Sequence, residues 1–339
     1  MGARDRKSAL ILGEGAWEER DMRAKRAVIT AAGRGTRQFP ATRSIQKELL
    51  PLVDTDGLTK PTIQIIVEDC LRSGIEEVCI VVEKDGQKPF REHFRALGDD
   101  ERRVFAAKPW ALAAGEALAE MERRITYVEQ PSPEGFGHAV YQARSFVGDQ
   151  PFLLLLGDHV YTTPDGVSSP IAQLLDIAAE SGGAVTSVRL DPESAVSVTG
   201  VLKCRPLNSA IAADAPGQVY DILALKEKPT IIEARELATP GVPGGFYLCH
   251  FGLHLFTPEI FDCLGQLIET NTRVKNEFQL TSGQELLLAR SQRGEAPPYR
   301  AAFLQGDRWD TGVPDGYLET LMALGGRGPF AAQLHAPVR

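Results

Sequence analysis

The sequence predicts an α/β fold with a mainly parallel central sheet flanked by helices. Two observations carry that expectation. Short apolar, β-branched runs alternate with amphipathic stretches of helical length, and glycines and prolines punctuate the joins. Size agrees with it, since 339 residues with 43 % hydrophobic content can fill one large core or two ordinary ones.

Each expected strand is a short apolar run. AVITAA (27–32), EVCIVV (77–82), ITYVEQ (125–130), FLLLLG (152–157) and AVTSVRL (184–190) come first. GVLKC (200–204), VYDILAL (219–225) and GFYLCHFGLHLF (245–256) follow. Between the first two strands, PTIQIIVEDCLRSG (61–74) has proline at its start, apolar residues at helical spacing and Gly74 at its stop, which predicts a crossover helix. GHAVYQARSF (137–146) and SPIAQLLDIAAES (169–181) are expected as two more, and 84–124 is charged and helical in character. The turn-rich ELATPGVPGG (236–245) is expected to link two lobes. In an open parallel sheet ligands gather at the carboxyl ends of the strands, so motifs on those edges carry extra weight.

Composition excludes several classes of function. The formal charge of −8 argues against a nucleic-acid partner, whose protein face is broadly basic. The longest apolar run, near FLLLLG, falls far below the roughly eighteen residues of a membrane-spanning helix, so no membrane partner is expected. Residues 1–26 mix charged side chains with ALILG and lack the apolar centre of a secretory signal, which predicts a mobile charged tail on a cytoplasmic protein. Residues 326–339 are expected as a second tail. The five cysteines form no CxxC pair and sit mostly inside apolar runs, as reduced, buried thiols do. Six scattered histidines show no zinc-binding spacing.

Against that acidity, the stretch from Arg23 to Lys47 carries seven basic residues and no acidic one. Most of it lies in TAAGRGTRQFPATRSIQKELLPL, which follows the first strand directly; there Gly33 and Gly35 let backbone N–H groups approach a phosphate. Gln38 stands where a third glycine would complete a dinucleotide fingerprint, and no GK[ST] follows to make a P-loop. On the glycines alone a plain strand-to-loop turn is an equal reading; Arg34, Arg37, Arg43 and Lys47 tip it toward a polyphosphate. Asp158 in LLLLGDHV ends an apolar strand, and Asp310 in GDRWDTGVPDGY follows another. Each reads as a metal ligand or as a turn cap, and two such carboxylates suit Mg²⁺ with substrate phosphates. Glu227 and Lys228 in LKEKP read as a solvated charge run. EQPSPEGFGHAV leaves helix N-terminal amides open above the sheet, and its His138 reads as structural rather than as a general base. No GxSxG elbow or Ser/His/Asp order points to hydrolysis.

Taken in this order, the motifs resemble the sugar-1-phosphate nucleotidyltransferases, and most closely the bacterial UTP:glucose-1-phosphate uridylyltransferases, from about Ala27 to about Leu324. AAGRGTRQFPATRSIQKELLPL is similar to the family's nucleotide loop, EQPSPEGFGHAV to its base-reading segment, LLLLGDHV to its metal strand and KEKP to its sugar-phosphate motif. NEFQLTSGQELL (276–287) and WDTGVPDGY (309–317) resemble its closing motifs. The resemblance implies a Rossmann-like nucleotidyltransferase fold, with a nucleotide-binding part at about 27–190 and a smaller, partly antiparallel sugar-binding and closing part at about 191–325. It also implies that Ala32, Gly33 and Gly35 approach the nucleotide, that Arg37 and Lys47 bind its phosphates, and that Gln130 and Gly135 read the uracil edge. Asp158 would hold Mg²⁺, with Asp310 as its partner or behind it. Gly200, Glu227, Gly252 and Glu277 would line the sugar while Lys228 grips its phosphate. The implied reaction is Mg²⁺-dependent uridylyl transfer from UTP to glucose 1-phosphate in a cytoplasmic homo-oligomer. Gln46 stands where the uridylyltransferase pattern usually has proline, and GDHV replaces the commoner proline-aspartate form. Those departures keep dTTP, CTP or GTP, or another sugar 1-phosphate, open as alternatives, with a non-catalytic subunit of the same fold behind them.

Overall fold

The structure is a computed structural model that describes residues 22–334. Its first strand, β1 (Arg26–Ala31), shows how an apolar run is covered on both faces. Ala27, Ile29 and Ala31 point into one hydrophobic core and Val28 into another, the period-2 alternation of a pleated strand. Two short strands, β2 (Pro51–Val53) and β3 (Thr59–Pro61), form a hairpin of their own. Next come β4 (Glu77–Glu83), β5 (Ile125–Gln130), β6 (Phe152–Leu156) and β7 (His159–Thr162). In β4, Val78, Ile80 and Val82 join the first core while Cys79 and Val81 join the second; in β6, Leu153 and Leu155 alternate with Phe152 and Leu154 in the same way. The remaining strands are β8 (Ala184–Pro192), β9 (Gly200–Pro206), β10 (Val219–Glu227), β11 (Phe246–Phe256), β12 (Tyr299–Phe303) and β13 (Asp307–Asp310).

Nine of these strands form one sheet in the order β5-β4-β1-β6-β11-β8-β12-β10-β9. β1 runs parallel to β4 and β6, and β4 parallel to β5. Beyond β6 the pairing turns mostly antiparallel: β11 opposes β6 and β8, and β10 opposes β12 and β9, with β12 and β8 parallel. Helices Thr62–Arg72, Pro170–Ser181 and Pro314–Gly325 cover one face, and Phe136–Gln142, Glu259–Glu269 and Leu280–Gln292 the other. Helix Pro170–Ser181 starts as its sequence directs, with Ser169 Oγ accepting the Ala172 N–H at 3.3 Å and Pro170 in the first turn.

Three expectations change. The segment 236–245 does not divide two lobes, because β9 pairs with β11 and β10 with β12 in the same sheet; it simply joins helix Ile231–Glu236 to β11. The helix expected over 137–146 is broken into Phe136–Gln142 and Arg144–Val147, and 84–124 holds three helices, Lys88–Phe94, Asp99–Val104 and Pro109–Glu122. The body also extends past both expected tail boundaries. Met22 and Ala24 are buried, the Lys25 carbonyl accepts the Glu76 N–H at 2.8 Å, and Arg327 Nη1 donates to the Thr163 carbonyl at 2.7 Å. The rest of those tails, 1–21 and 335–339, lies outside the described residues. Among the described residues no helix is long and apolar enough to cross a membrane.

Candidate active site

The loop after β1 begins the site. At Gly35 the backbone is left-handed (φ 59°), and a Cβ there would lie 2.7 Å from Thr42 Cγ2, so only glycine makes the turn. The chain then crosses the carboxyl ends of β1 and β6 in short 3₁₀ turns that carry Arg37 and Lys47. The Gly157 N–H donates to the Thr30 carbonyl at 3.0 Å and ties the loop after β6 to β1. Between these loops lies a cavity of about 560 Å³. Ala32, Gly33, Gly35, Arg37 and Lys47 line it from one side, Gln130 from the end of β5 and Gly135 from the loop that follows, and Asp158 and Glu277 complete it. Arg34 also faces it, whereas Arg43 does not contribute to the lining.

On this cavity's wall Lys47 Nζ sits 2.6 Å from Asp158 Oδ2 and 2.9 Å from Glu48 Oε1. Asp310 reaches the same place through strand pairing: β7 and β13 run antiparallel, with Asp310 opposite His159. The Thr311 N–H and hydroxyl donate to the Asp158 carbonyl at 2.8 and 3.0 Å, and the Gly312 N–H donates to Asp310 Oδ1 at 2.8 Å. A Cβ on Gly312 would overlap Asp158 Oδ2 and lie 2.9 Å from Asp310 Oδ1 and 3.1 Å from Arg37 Nη2. The missing side chain is what lets two carboxylates and a guanidinium converge.

Burial works against the charge on each member of this cluster, and the partners decide the outcome. For Asp158, Lys47 and His159 overcome burial and hold the carboxyl below its ordinary range. For Asp310, the His159 ring, the Gly312 N–H and Arg37 overcome burial and hold it well below that range. Lys47 is likewise kept above the ordinary lysine range by Glu48 and Asp158. Glu48 is the exception. It is fully buried, and burial pushes its carboxyl up to about 7 against the pull of Lys47. At neutral pH the cluster therefore holds Asp158 and Asp310 as anions beside an ammonium.

Asp158, His159 and Asp310 offer ligand atoms within 4.8 Å of one another. Two ionised oxygen donors fit a hard divalent cation, while an imidazole is a softer donor. His159 Nε2 instead sits 3.8 Å from Asp310 Oδ2, where it steadies that carboxylate.

At the other end of the cavity, Gln130 is buried and its amide nitrogen is engaged twice, by the Gly135 carbonyl and by His138 Nδ1, each at 3.1 Å. His138 thus has the structural part its place in the helix suggested. The loop is stitched to the segment before helix Leu280–Gln292: the Gly137 N–H donates to the Phe278 carbonyl and the Phe278 N–H to the Glu134 carbonyl, both at 2.8 Å.

Gly200, Glu227, Lys228, Gly252 and Asp310 do not line the cavity. Glu227 and Gly200 are paired across β10 and β9, and Thr281 Oγ1 donates to Glu227 Oε2 at 2.8 Å. Lys228 adopts φ 46°, donates its N–H to the Thr199 carbonyl at 3.1 Å, and keeps its ammonium 3.4 Å from Glu227 Oε1. Gly252 packs against His159, whose Nδ1 would lie 2.7 Å from a Cβ there, which joins this second group to the carboxylate cluster. Sequence reasoning missed Glu48, His159 and Gly312. Each adjoins a residue it did single out or lies inside a quoted motif.

The nucleotidyl transferase family matches residues 26–325. The UTP–glucose-1-phosphate uridylyltransferase of Staphylococcus haemolyticus is 34 % identical over 297 residues, 87 % of this chain and 90 % of that protein. The Bacillus subtilis protein of the same name is 32 % identical over 300 residues, 88 % of this chain and 90 % of its own. A UDP-glucose pyrophosphorylase solved in complex with UDP-glucose superposes with a TM-score of 0.68 at 25 % identity, over 88 % of this chain and 98 % of that one. UTP-bound UGPase from Acinetobacter baumannii shares the fold, with a TM-score of 0.72 at 24 % identity over 93 % and 100 % of the two chains. With a family match across nearly the whole described body and relatives aligned over most of their length, this chain belongs to the nucleotidyl transferase family.

Proposed function

We propose that the chain transfers a uridylyl group from UTP to glucose 1-phosphate, giving UDP-glucose and pyrophosphate. The observation that carries this reading is the convergence of Arg37, Lys47, Asp158 and Asp310 around Gly312 at the carboxyl ends of the parallel strands. The names of the relatives support the choice of substrates.

In the transfer, a phosphate oxygen of the sugar phosphate bonds to the α-phosphorus of UTP. The bond from that phosphorus to the bridging oxygen breaks, and pyrophosphate leaves with the electron pair. The attacking phosphate is already ionised, so no general base is required. The reaction needs two mutually repelling anions to be positioned and the charge at the α-phosphorus relieved. Arg37 and Lys47 supply fixed positive charge, and Lys47 is anchored by two carboxylates. Lys228 would grip the sugar's phosphate, with Gly200, Glu227, Gly252 and Glu277 around the hexose. Asp158 and Asp310 would hold Mg²⁺, which when bound supplies Lewis acidity and a template for phosphate oxygens.

Ala32, Gly33, Gly35 and Gly135 would lie against the nucleotide, with Gln130 reading its base. The Gln130 amide nitrogen is committed to Gly135 and His138, which leaves Oε1 to accept the imino N–H of uracil. Thymine offers the same N–H, so dTTP is the second reading this observation favours. The proposal includes a cytoplasmic location, supported by five buried free thiols, and a homo-oligomer that light scattering tests.

The test is pyrophosphate release by purified protein with Mg²⁺, each of UTP, dTTP, CTP, GTP and ATP, and a panel of sugar 1-phosphates. Preference for UTP with glucose 1-phosphate is the expected result. Faster release with another pair would overturn the substrates, and silence across the panel would overturn the activity.

A further inference from the structure

We propose that His250 reads a hydroxyl of the hexose beside Glu227 and so helps to set which sugar 1-phosphate is accepted. The inference rests on the sugar-1-phosphate reading above. β10 and β9 pair Glu227 with Gly200, and β11 and β9 pair Leu248 with Leu202 and Cys249 with Val201, which brings His250 level with Gly200. Its ring lies edge-on against that glycine. A Cβ on Gly200 would be 2.5 Å from His250 Cδ2 and 3.2 Å from Nε2, with Glu227 Oε2 3.0 Å from the same point. Imidazole and carboxylate thus meet from two strands across a residue whose side chain would drive the ring away.

His250 Nε2 is buried and has no hydrogen-bond partner among the described residues. Buried polar atoms are rarely left so, because the loss of water is not repaid. The ring cannot turn to repair this, since its other edge is occupied. His250 Nδ1 lies 3.2 Å from Thr186 Oγ1, which lies 2.6 Å from His254 Nδ1. Gln284 Nε2 in turn is 3.5 Å from His254 Nδ1 and donates to the Tyr299 hydroxyl at 2.8 Å. A bulge in β11 makes this possible. His250 pairs with Val188 and His254 with Thr186, so two extra residues of β11 are taken up around Gly252 and both rings reach one threonine. Burial also pushes the His250 imidazole down to about 4 against the pull of Glu227, which keeps the ring neutral at neutral pH.

The atom left over is suited to a hydroxyl group. A hydroxyl both donates and accepts, so it pairs with Nε2 in either tautomer of the ring, while a neighbouring hydroxyl can donate to Glu227. Adjacent hydroxyls on a hexose ring present that pair. Glu227 is itself held by Thr281, so both readers are fixed before the sugar arrives.

The test is steady-state kinetics of the wild type, His250→Val and His250→Gln with UTP, glucose 1-phosphate and its singly deoxygenated analogues. In the wild type, two analogues are expected to be poorer by about tenfold, the one lacking the hydroxyl that His250 reads and the one lacking its neighbour at Glu227, the loss that follows when a buried partner is left unpaired. His250→Val is expected to raise KM for glucose 1-phosphate about tenfold, to leave KM for UTP within about twofold, and to erase the penalty for one of those two analogues while keeping the one due to Glu227. His250→Gln, whose amide reaches the same place, restores discrimination in part. An unchanged sugar KM, or an equal rise for every analogue and for UTP, would overturn the assignment. If the wild type makes no product from any hexose 1-phosphate, the activity reading fails by itself. Calorimetric binding of glucose 1-phosphate to wild type and His250→Val then decides: weaker binding to the variant supports the role, and equal or undetectable binding in both overturns it.

Discussion

The two ends of the site are built from different forces. At the end we assign to the phosphates, Lys47, Glu48, Asp158, Asp310 and Arg37 form a cluster whose charges compensate one another inside the protein. At the end we assign to the hexose, Glu227, Thr281 and His250 present hydrogen-bonding atoms with one carboxylate and a neutral ring among them. The difference teaches where each kind of recognition belongs. Polyanions and a divalent cation need paired, pre-positioned charge, which the loops at the carboxyl ends of parallel strands supply. Hydroxyl groups need short-range directional atoms, which cross-strand pairing in the antiparallel half supplies.

Asp158→Asn should break the phosphate end most severely. Loss of one ionised oxygen beside Lys47 and Asp310 is expected to lower turnover roughly a thousandfold, measured as pyrophosphate release; near-normal turnover would remove Asp158 from the cation site. Lys47→Met comes next and shows in stability as well as in rate. It leaves Glu48 and Asp158 buried without their cation, and urea unfolding should show a loss of about 3–5 kcal/mol.

Glu48 sharpens the same contrast through pH. Its folded carboxyl titrates at about 7 and its unfolded one near the ordinary 4.5, so between those values the folded protein holds a proton that the unfolded chain has released. The contribution of Glu48 to stability should therefore fall as pH rises from 4.5 to 7, by roughly 1 kcal/mol per pH unit, and flatten above, while buried His250, held down at about 4, contributes the opposite slope. Glu48→Gln should remove that contribution, which the difference between variant and wild type in urea titrations at pH 5 and pH 7 would reveal. The smallest effect lies outside both ends: Ser169→Ala removes the N-cap of helix Pro170–Ser181 and should lower stability by about 1 kcal/mol with unchanged KM for both substrates.

This contrast also explains what the sequence made legible. The phosphate end is written locally: Gly33, Gly35, Arg37 and Lys47 share one loop, and Asp158 follows an unbroken apolar strand. Glu48 escaped notice because a glutamate next to a lysine ordinarily reads as surface charge, and only the fold buries it. His159 and Gly312 acquire their meaning from the pairing of β7 with β13, strands nearly 150 residues apart. The hexose end is less legible still. His250 meets Gly200 and Glu227 through the register of three strands and a bulge at Gly252, none of which a run of residues announces. Strand β12 (Tyr299–Phe303) went unpredicted for a related reason, since YRAAF is short and becomes a strand by pairing with β8 and β10.

The division of labour between the two ends is tested most directly by calorimetric binding of UTP with Mg²⁺ to the wild type, Asp158→Asn and Glu227→Gln. Binding should weaken by tenfold or more, on the order of 1.4 kcal/mol or greater, in Asp158→Asn and stay within about twofold of the wild type in Glu227→Gln. Equal weakening in both variants, or undisturbed binding in Asp158→Asn, would contradict the account.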